Sequence, residues 1–205
     1  MRTDIATSTS FSAESYAAGT VGSAHNHDVM EAYSVTFQVT DSTPASKAFA
    51  TTDVSVTANT ILEAAHGYNN GLKVQLTTTT AVPAGLVADT DYYIVKVDAD
   101  NYGFATTRAN AILGTKIDIT GAGTGTHTTV PQALAGLGLH VEVSMDNSLW
   151  LPLASTTQTS VGNTLMCFPP SGANTVAYNY VRPVLTCTSG QVTITAKFRS
   201  RGIAG

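Results

Sequence analysis

Residues 66–128 read HGYNNGLKVQLTTTTAVPAGLVADTDYYIVKVDADNYGFATTRANAILGTKIDITGAGTGTHT. Within this stretch and just before it lie the runs VSVTA (54–58), KVQLTTT (73–79), DYYIVKV (91–97), YGFATT (102–107) and KIDIT (116–120), and THTTV (126–130) follows. They are rich in the β-branched and aromatic residues that fit a pleated surface. The links at Asn69–Gly71, Pro83–Gly85, Asp98–Asn101 and Gly121–Gly125 hold residue types that supply positive φ or bond their own backbone in tight turns. Short runs at even spacing, separated by such turns, predict a small β-barrel or β-sandwich over residues 51–130.

Outward from this centre the hydrophobic period stays at two. From Ala32 to Thr40, Tyr33, Val35, Phe37 and Val39 alternate with Ser34, Thr36 and Gln38, which predicts a half-buried strand ended by Asp41–Pro44. After Gly136–Gly138 come LHVEVSM, a turn at MDNS that delivers Trp150 onto LWLPL, then TLMCF, YVRPVLTCT and QVTITAKF. Ser189-Gly190 predicts a hairpin between the last two, and Pro183 confines its strand to an edge or a bulge. The first thirty residues are rich in Ser, Thr, Ala and Gly with little periodicity, and predict an extended or disordered arm, which can fold onto a partner.

The chain has 205 residues, 43% of them hydrophobic and only 12% charged, so its stability can rest on apolar burial without a metal or disulfide staple. Low charge with many hydroxyls suits a surface covered by neighbouring subunits, and equally a secreted β-protein. Of the formal net charge of −4, residues 1–146 carry six basic and fourteen acidic groups and residues 147–205 four basic and none acidic, so the halves are −8 and +4. Lys197, Arg199 and Arg201 alternate along one segment. Such a row can orient a protein on an acidic partner or guard an exposed edge strand against aggregation; the second reading is favoured. There is no basic stripe interleaved with aromatics and no recognition helix, so no nucleic-acid partner is expected. No segment has the apolar length of a membrane span, and MRTDIATSTSFSAES lacks an apolar core behind its single Arg, so neither a membrane partner nor signal-directed export is expected.

Residues 66–128 resemble a module that recurs in structural proteins of tailed bacteriophages, with its HG start, LTT run, P–GL turn, YYIV–VD strand, IDIT and final GTGTHT. SMDNSLWLPL followed by YVRPVLTCTSGQVTITAKFRSRG is similar to a second β-sandwich pattern of small phage virion proteins, in which a D–S–W turn precedes a Y–R strand and a Gly-ended last strand. Pro183 departs from that pattern. The resemblance implies that the Ala32–Thr40 strand belongs with the C-terminal sandwich and that the central module is inserted into it. The expected fold is therefore all-β: an extended N-terminal arm (1–30), a β-sandwich or jelly-roll-like domain (31–50 and 131–205) and an inserted small β-domain (51–130).

His25, His27 and Asp28 could hold a divalent metal only if a third ligand converged on them, and a solvated arm is the simpler reading. The Asp98–Asn101 run lacks the distal Glu and mid-loop Gly of a calcium loop and reads as a hairpin turn. Gly121–Gly125 lacks the Lys and helix of a phosphate cradle and reads as a flexible turn. His66, His127 and His140 lie in separate contexts with no nucleophile elbow, and the first two fall at positions of the resembled module, implying packing or hydrogen bonding. Trp150 is either a sugar-stacking platform or a core plug, the plug being favoured behind a tight turn. Tyr92, Tyr93, Tyr178 and Tyr180 divide between strand packing and an interface. No residue is assigned as catalytic, cofactor-binding or metal-binding, no cofactor is expected, and the protein is not expected to be an enzyme.

What the resemblance implies is a virion protein synthesised in the host cytoplasm, where Cys167 and Cys187 stay reduced; their pairing after release is left open. The leading expectation is a capsid decoration or cement protein that contacts the major capsid protein or other virion proteins as a homo-oligomer, preferably a trimer. The alternatives are a neck, tail or fibre-attachment component, or a carbohydrate-binding adhesion module on the virion surface.

Overall fold

The computed structural model describes residues 3–17, 20–21, 24–26, 30–153, 158–168 and 179–203. Sixteen strands, numbered in chain order, fall into three antiparallel sheets among these residues. Sheet A runs in the order β1 (Thr3–Tyr16), β16 (Val192–Ile203), β4 (Met30–Asp41), β14 (Gly162–Phe168). Sheet B runs β13 (Leu151–Pro152), β12 (Gly138–Ser144), β15 (Tyr180–Thr186), β2 (Thr20–Val21), with β3 (His25–Asn26) also on β15.

Alternation makes these two sheets one sandwich. Val35, Phe37 and Val39 of β4 and Val192, Ile194, Ala196 and Phe198 of β16 face Leu139, Val141 and Val143 of β12 and Val181 and Leu185 of β15 in a single apolar core. The intervening Thr36, Gln38 and Thr40 are exposed, as period-2 patterning requires.

Sheet C is built from β5 (Lys47–Ala50), β6 (Val54–Ser55), β7 (Thr60–Leu62), β8 (Lys73–Thr78), β9 (Asp91–Lys96), β10 (Asn101–Ala105) and β11 (Thr126–Pro131), in the order β5-β11-β8-β9-β10-β7-β6. The path is open, yet Phe49, Val54, Ile61, Leu76, Ile94 and Phe104 from across it share one core with Ile117 and Ile119. The unit is thus one rolled antiparallel sheet around its own core, in keeping with the all-β fold expected. Its first strand begins at Lys47, ahead of the boundary drawn at residue 51. KIDIT forms no strand; Ile117 N–H donates to the Phe104 carbonyl at 2.7 Å and Ile119 N–H to Asn59 Oδ1 at 2.8 Å, so it closes the roll as irregular chain. A short helix, α1 (Arg108–Ile112), is capped by Thr107, whose hydroxyl oxygen accepts the Asn110 N–H at 3.1 Å.

Within residues 1–30 the described strands are extended, as expected, but they pair inside the chain. β1 pairs with β16 from Thr3↔Ile203 to Tyr16↔Val192, while β2 and β3 pair with β15, so one segment edges both layers of the sandwich. Ala17, which follows β1, is buried in the core of sheet C. A hydroxyl-rich strand has no apolar alternation to announce it, and its backbone ladder is invisible in composition. The same pairing makes β16 an interior strand, so Lys197 sits at the centre of sheet A and not on a guarded edge.

Pro183 also lies inside a sheet, opposite Val141. Among the described residues β2 pairs only with Val184 and Leu185 and β3 only with Tyr180 and Val181. The second side of β15 is therefore interrupted where the missing proline N–H would otherwise matter.

Candidate functional site

His66 and His127 are fold determinants. His66 Nδ1 accepts the Tyr68 N–H at 2.9 Å, and its Nε2 lies 3.1 Å from the Asp98 carbonyl oxygen, which fixes a neutral ring protonated at Nε2. Burial holds its pKa below the ordinary histidine value. His127 Nε2 lies 3.1 Å from the Ala122 carbonyl oxygen and Nδ1 3.0 Å from Thr78 Oγ1, with the ring against Phe49. Gly121–Gly125 is held by this bond and by bridges at Ala84↔Gly121 and Ala81↔Thr124, so it is a tethered loop and not the flexible turn expected. Asp98 accepts the N–H groups of Asp100 and Asn101, each at 2.8 Å, and closes the β9–β10 hairpin. Tyr92 accepts the Val87 N–H at 2.8 Å, and Tyr93 stacks under Arg108.

The remaining candidates separate. Cys187 is a buried free thiol whose pKa burial pushes up, which disfavours the reactive thiolate. The Cys167 side chain, His27, Asp28, Tyr178 and the side chain of His25 lie outside the described residues. Among the described residues no three His, Cys, Asp or Glu side chains group as a metal site.

One surface does gather chemistry-bearing side chains. Strand register places Glu142 opposite Arg182 on the outer face of sheet B, with Val184 opposite His140. Arg182 Nε and Nη2 donate to the same Glu142 Oε2 at 2.8 and 2.7 Å, and His140 Nε2 lies 3.6 Å from Glu142 Oε1. Trp150 covers this group, with Arg182 Cζ 4.0 Å from its ring centroid. The indole is half-buried on the outer face, not in the core, so it is not the plug favoured from sequence. The MDNS turn positions it: Asp146 Oδ1 accepts the Ser148 and Leu149 N–H groups at 2.9 and 3.1 Å, and Ser148 Oγ donates to Oδ2 at 2.7 Å. These bonds hold the Asp146 carboxyl well below the usual carboxylate range.

Around the stack, Met145, Leu149 and Leu151 are 62%, 69% and 54% exposed. A Trp and an Arg pre-ordered by a carboxylate and rimmed by exposed aliphatic groups is the composition of a protein-contact centre. Arg182 and Glu142 were missed from sequence because their meeting depends on register across 40 residues. The available signal was two charged residues at outward positions of alternating strands.

Fold and site together define an all-β protein with a polar-aromatic cluster on the outer face of sheet B. No protein-family model matches the chain, and no curated protein matches it. Among solved structures it is similar to one titled "Crystal structure of SPBc2 prophage-derived protein YomS", at 8% identity and a TM-score of 0.34, over 98% of this chain and 96% of that one. Among the described residues no helix is long and apolar enough to cross a membrane.

Proposed function

We propose that this chain is a non-enzymatic structural protein of a tailed-phage virion that decorates the assembled capsid and stabilises it. The observation that carries this reading is the contact surface at Met145–Leu151, where three large apolar side chains stand in solvent beside the Trp150–Arg182 stack. Such a group gains by being covered, and a preformed lattice offers many identical places for it. The phage-module resemblance of residues 66–128 supplies the setting, since its motif residues serve packing and turns and leave the exterior of the sandwich for contacts. The partner is the major capsid protein or a neighbouring virion protein, and the chain acts as a small homo-oligomer.

The test is removal from the particle. Particles should assemble without the protein but lose heat resistance, with stabilisation following occupancy, and intact particles should carry it in the hundreds. A copy number of about a dozen or fewer, with failure of tail joining or adsorption, assigns the neck, tail or fibre role instead. Glycan binding abolished by Trp150→Ala assigns the adhesion role.

A further inference from the structure

Sheet edges are aggregation hazards that proteins blunt by shortness, charge, proline or bulges. Five edges here are blunted. β1 has register shifts between Thr9 and Phe11 and between Phe11 and Glu14, and it carries Asp4 and Glu14. β13 is two residues long and includes Pro152; β6, β2 and β3 are also two residues each. β5 has four residues, one of them Lys47.

β14 is the exception. It runs for seven residues, GNTLMCF, in unbroken register with β4 from Gly162↔Val39 to Phe168↔Tyr33. It has no charge and no proline, Leu165 is 63% exposed, and among the described residues no strand pairs with its other side. Among the described residues the Gly162 carbonyl accepts from Gln158 Nε2 at 3.2 Å.

We propose that β14 is a docking edge for β14 of a second copy, forming a two-fold antiparallel pair that joins the two A sheets into one. Charge selects this occupant. A two-fold antiparallel pair sets each residue near its own counterpart, so any charge would meet its like. The 35 residues 147–181 contain no Asp, Glu, Lys, Arg or His, whereas 12% charged residues would put about four charges in a stretch of that length. The strand lies at the centre of this neutral tract. With the axis at Leu165, the two Leu165 side chains meet on the outer face, beside the exposed Asn163. The contact does not depend on the virion reading, and it stands or falls with the free protein.

The experiment is light scattering with size-exclusion chromatography on the purified full chain over a dilution series, comparing wild type, Leu165→Lys and Leu165→Thr. Wild type and Leu165→Thr should dimerise. Leu165→Lys should raise the dissociation constant by at least about tenfold, because two ammonium groups then face each other at the axis. A wild type that is monomeric throughout overturns the proposal, and so does a dimer or trimer indifferent to Leu165→Lys. Hydrogen exchange on the wild type gives a measurement free of any variant's folding: the alternate amides of residues 163–168 that point away from β4 should gain protection as concentration rises through dimer formation. Concentration-independent exchange there also overturns it.

Discussion

Arg108 Nη2 donates to the Thr188 carbonyl oxygen at 2.7 Å, joining groups 80 residues apart. The same guanidinium reaches the Cys187 carbonyl at 2.5 Å and the Gly71 carbonyl at 3.2 Å, so one side chain ties α1 of the sheet C unit to the turn between β15 and β16. Arg108→Ala should lower stability by about 1–2 kcal/mol, since water reaches part of the seam and replaces some of the lost bonds. Arg108→Lys should restore only a fraction, because an ammonium cannot span three carbonyls as the fork does. Urea unfolding midpoints decide both.

Gln191 seals the seam from the other side. It is buried, accepts the Asn69 N–H at 3.0 Å and donates to the Gly67 and Ser42 carbonyls at 3.2 and 3.4 Å. Gln191→Ala strands these backbone groups and should cost about 2–3 kcal/mol. Combined with Arg108→Ala, the loss should fall short of the sum, because opening the seam once exposes both sets of bonds.

Gly85 has φ +102°, and a Cβ there would stand 2.1 Å from the Asp118 carbonyl oxygen. Both the backbone conformation and the space exclude a side chain. Gly85→Ala should destabilise by about 2–4 kcal/mol, read from thermal unfolding. Gly114, at φ +77° with nothing within 4 Å of its Cβ, should lose less when changed to Ala.

His66 makes stability depend on pH. Its folded pKa lies below the ordinary value of 6.5, so beneath that value the unfolded chain takes up a proton that the folded chain refuses. Stability is complete above that value and is lost as pH falls below it. Asp91 and Asp98, depressed from 3.8 by Lys73 and by the Asp100 N–H respectively, act in the same direction but only at lower pH. Urea midpoints between about pH 7 and about pH 5 should fall for wild type and flatten in His66→Gln.

Replacing Met145 and Leu149 with Ser should leave the melting temperature within about 2 °C of wild type, because both side chains already stand in solvent. Binding to particles stripped of the protein should weaken at least about tenfold if those side chains are covered there. Titrating labelled protein onto stripped particles measures it.

The strands that bury one face were legible: Val35, Phe37 and Val39, and likewise Leu139, Val141 and Val143, declare themselves by period. What composition could not show was carried by backbone pairing. TDIATSTSFSAESY has no apolar alternation, yet it forms the long edge of sheet A. KIDIT has the right period but spends its N–H groups on Phe104 and Asn59 outside any ladder. The candidate contact surface was half legible, because Trp150 stood out as a single residue while Glu142 and Arg182 acquired meaning only from register.

The ladder between β1 and β16 starts with Thr3 against Ile203. A ribosome must therefore have made residue 203 before that ladder can be completed, whereas every strand of sheet C lies between Lys47 and Pro131. The two halves of the molecule mature at different times. The rolled sheet can fold while synthesis continues; the sandwich waits, its β4 ridge of Val35, Phe37 and Val39 exposed until β16 arrives to pair with it. During that interval the nascent chain is an open template for other strands, and speed of elongation through the last seventy or so residues governs how much of it is captured correctly.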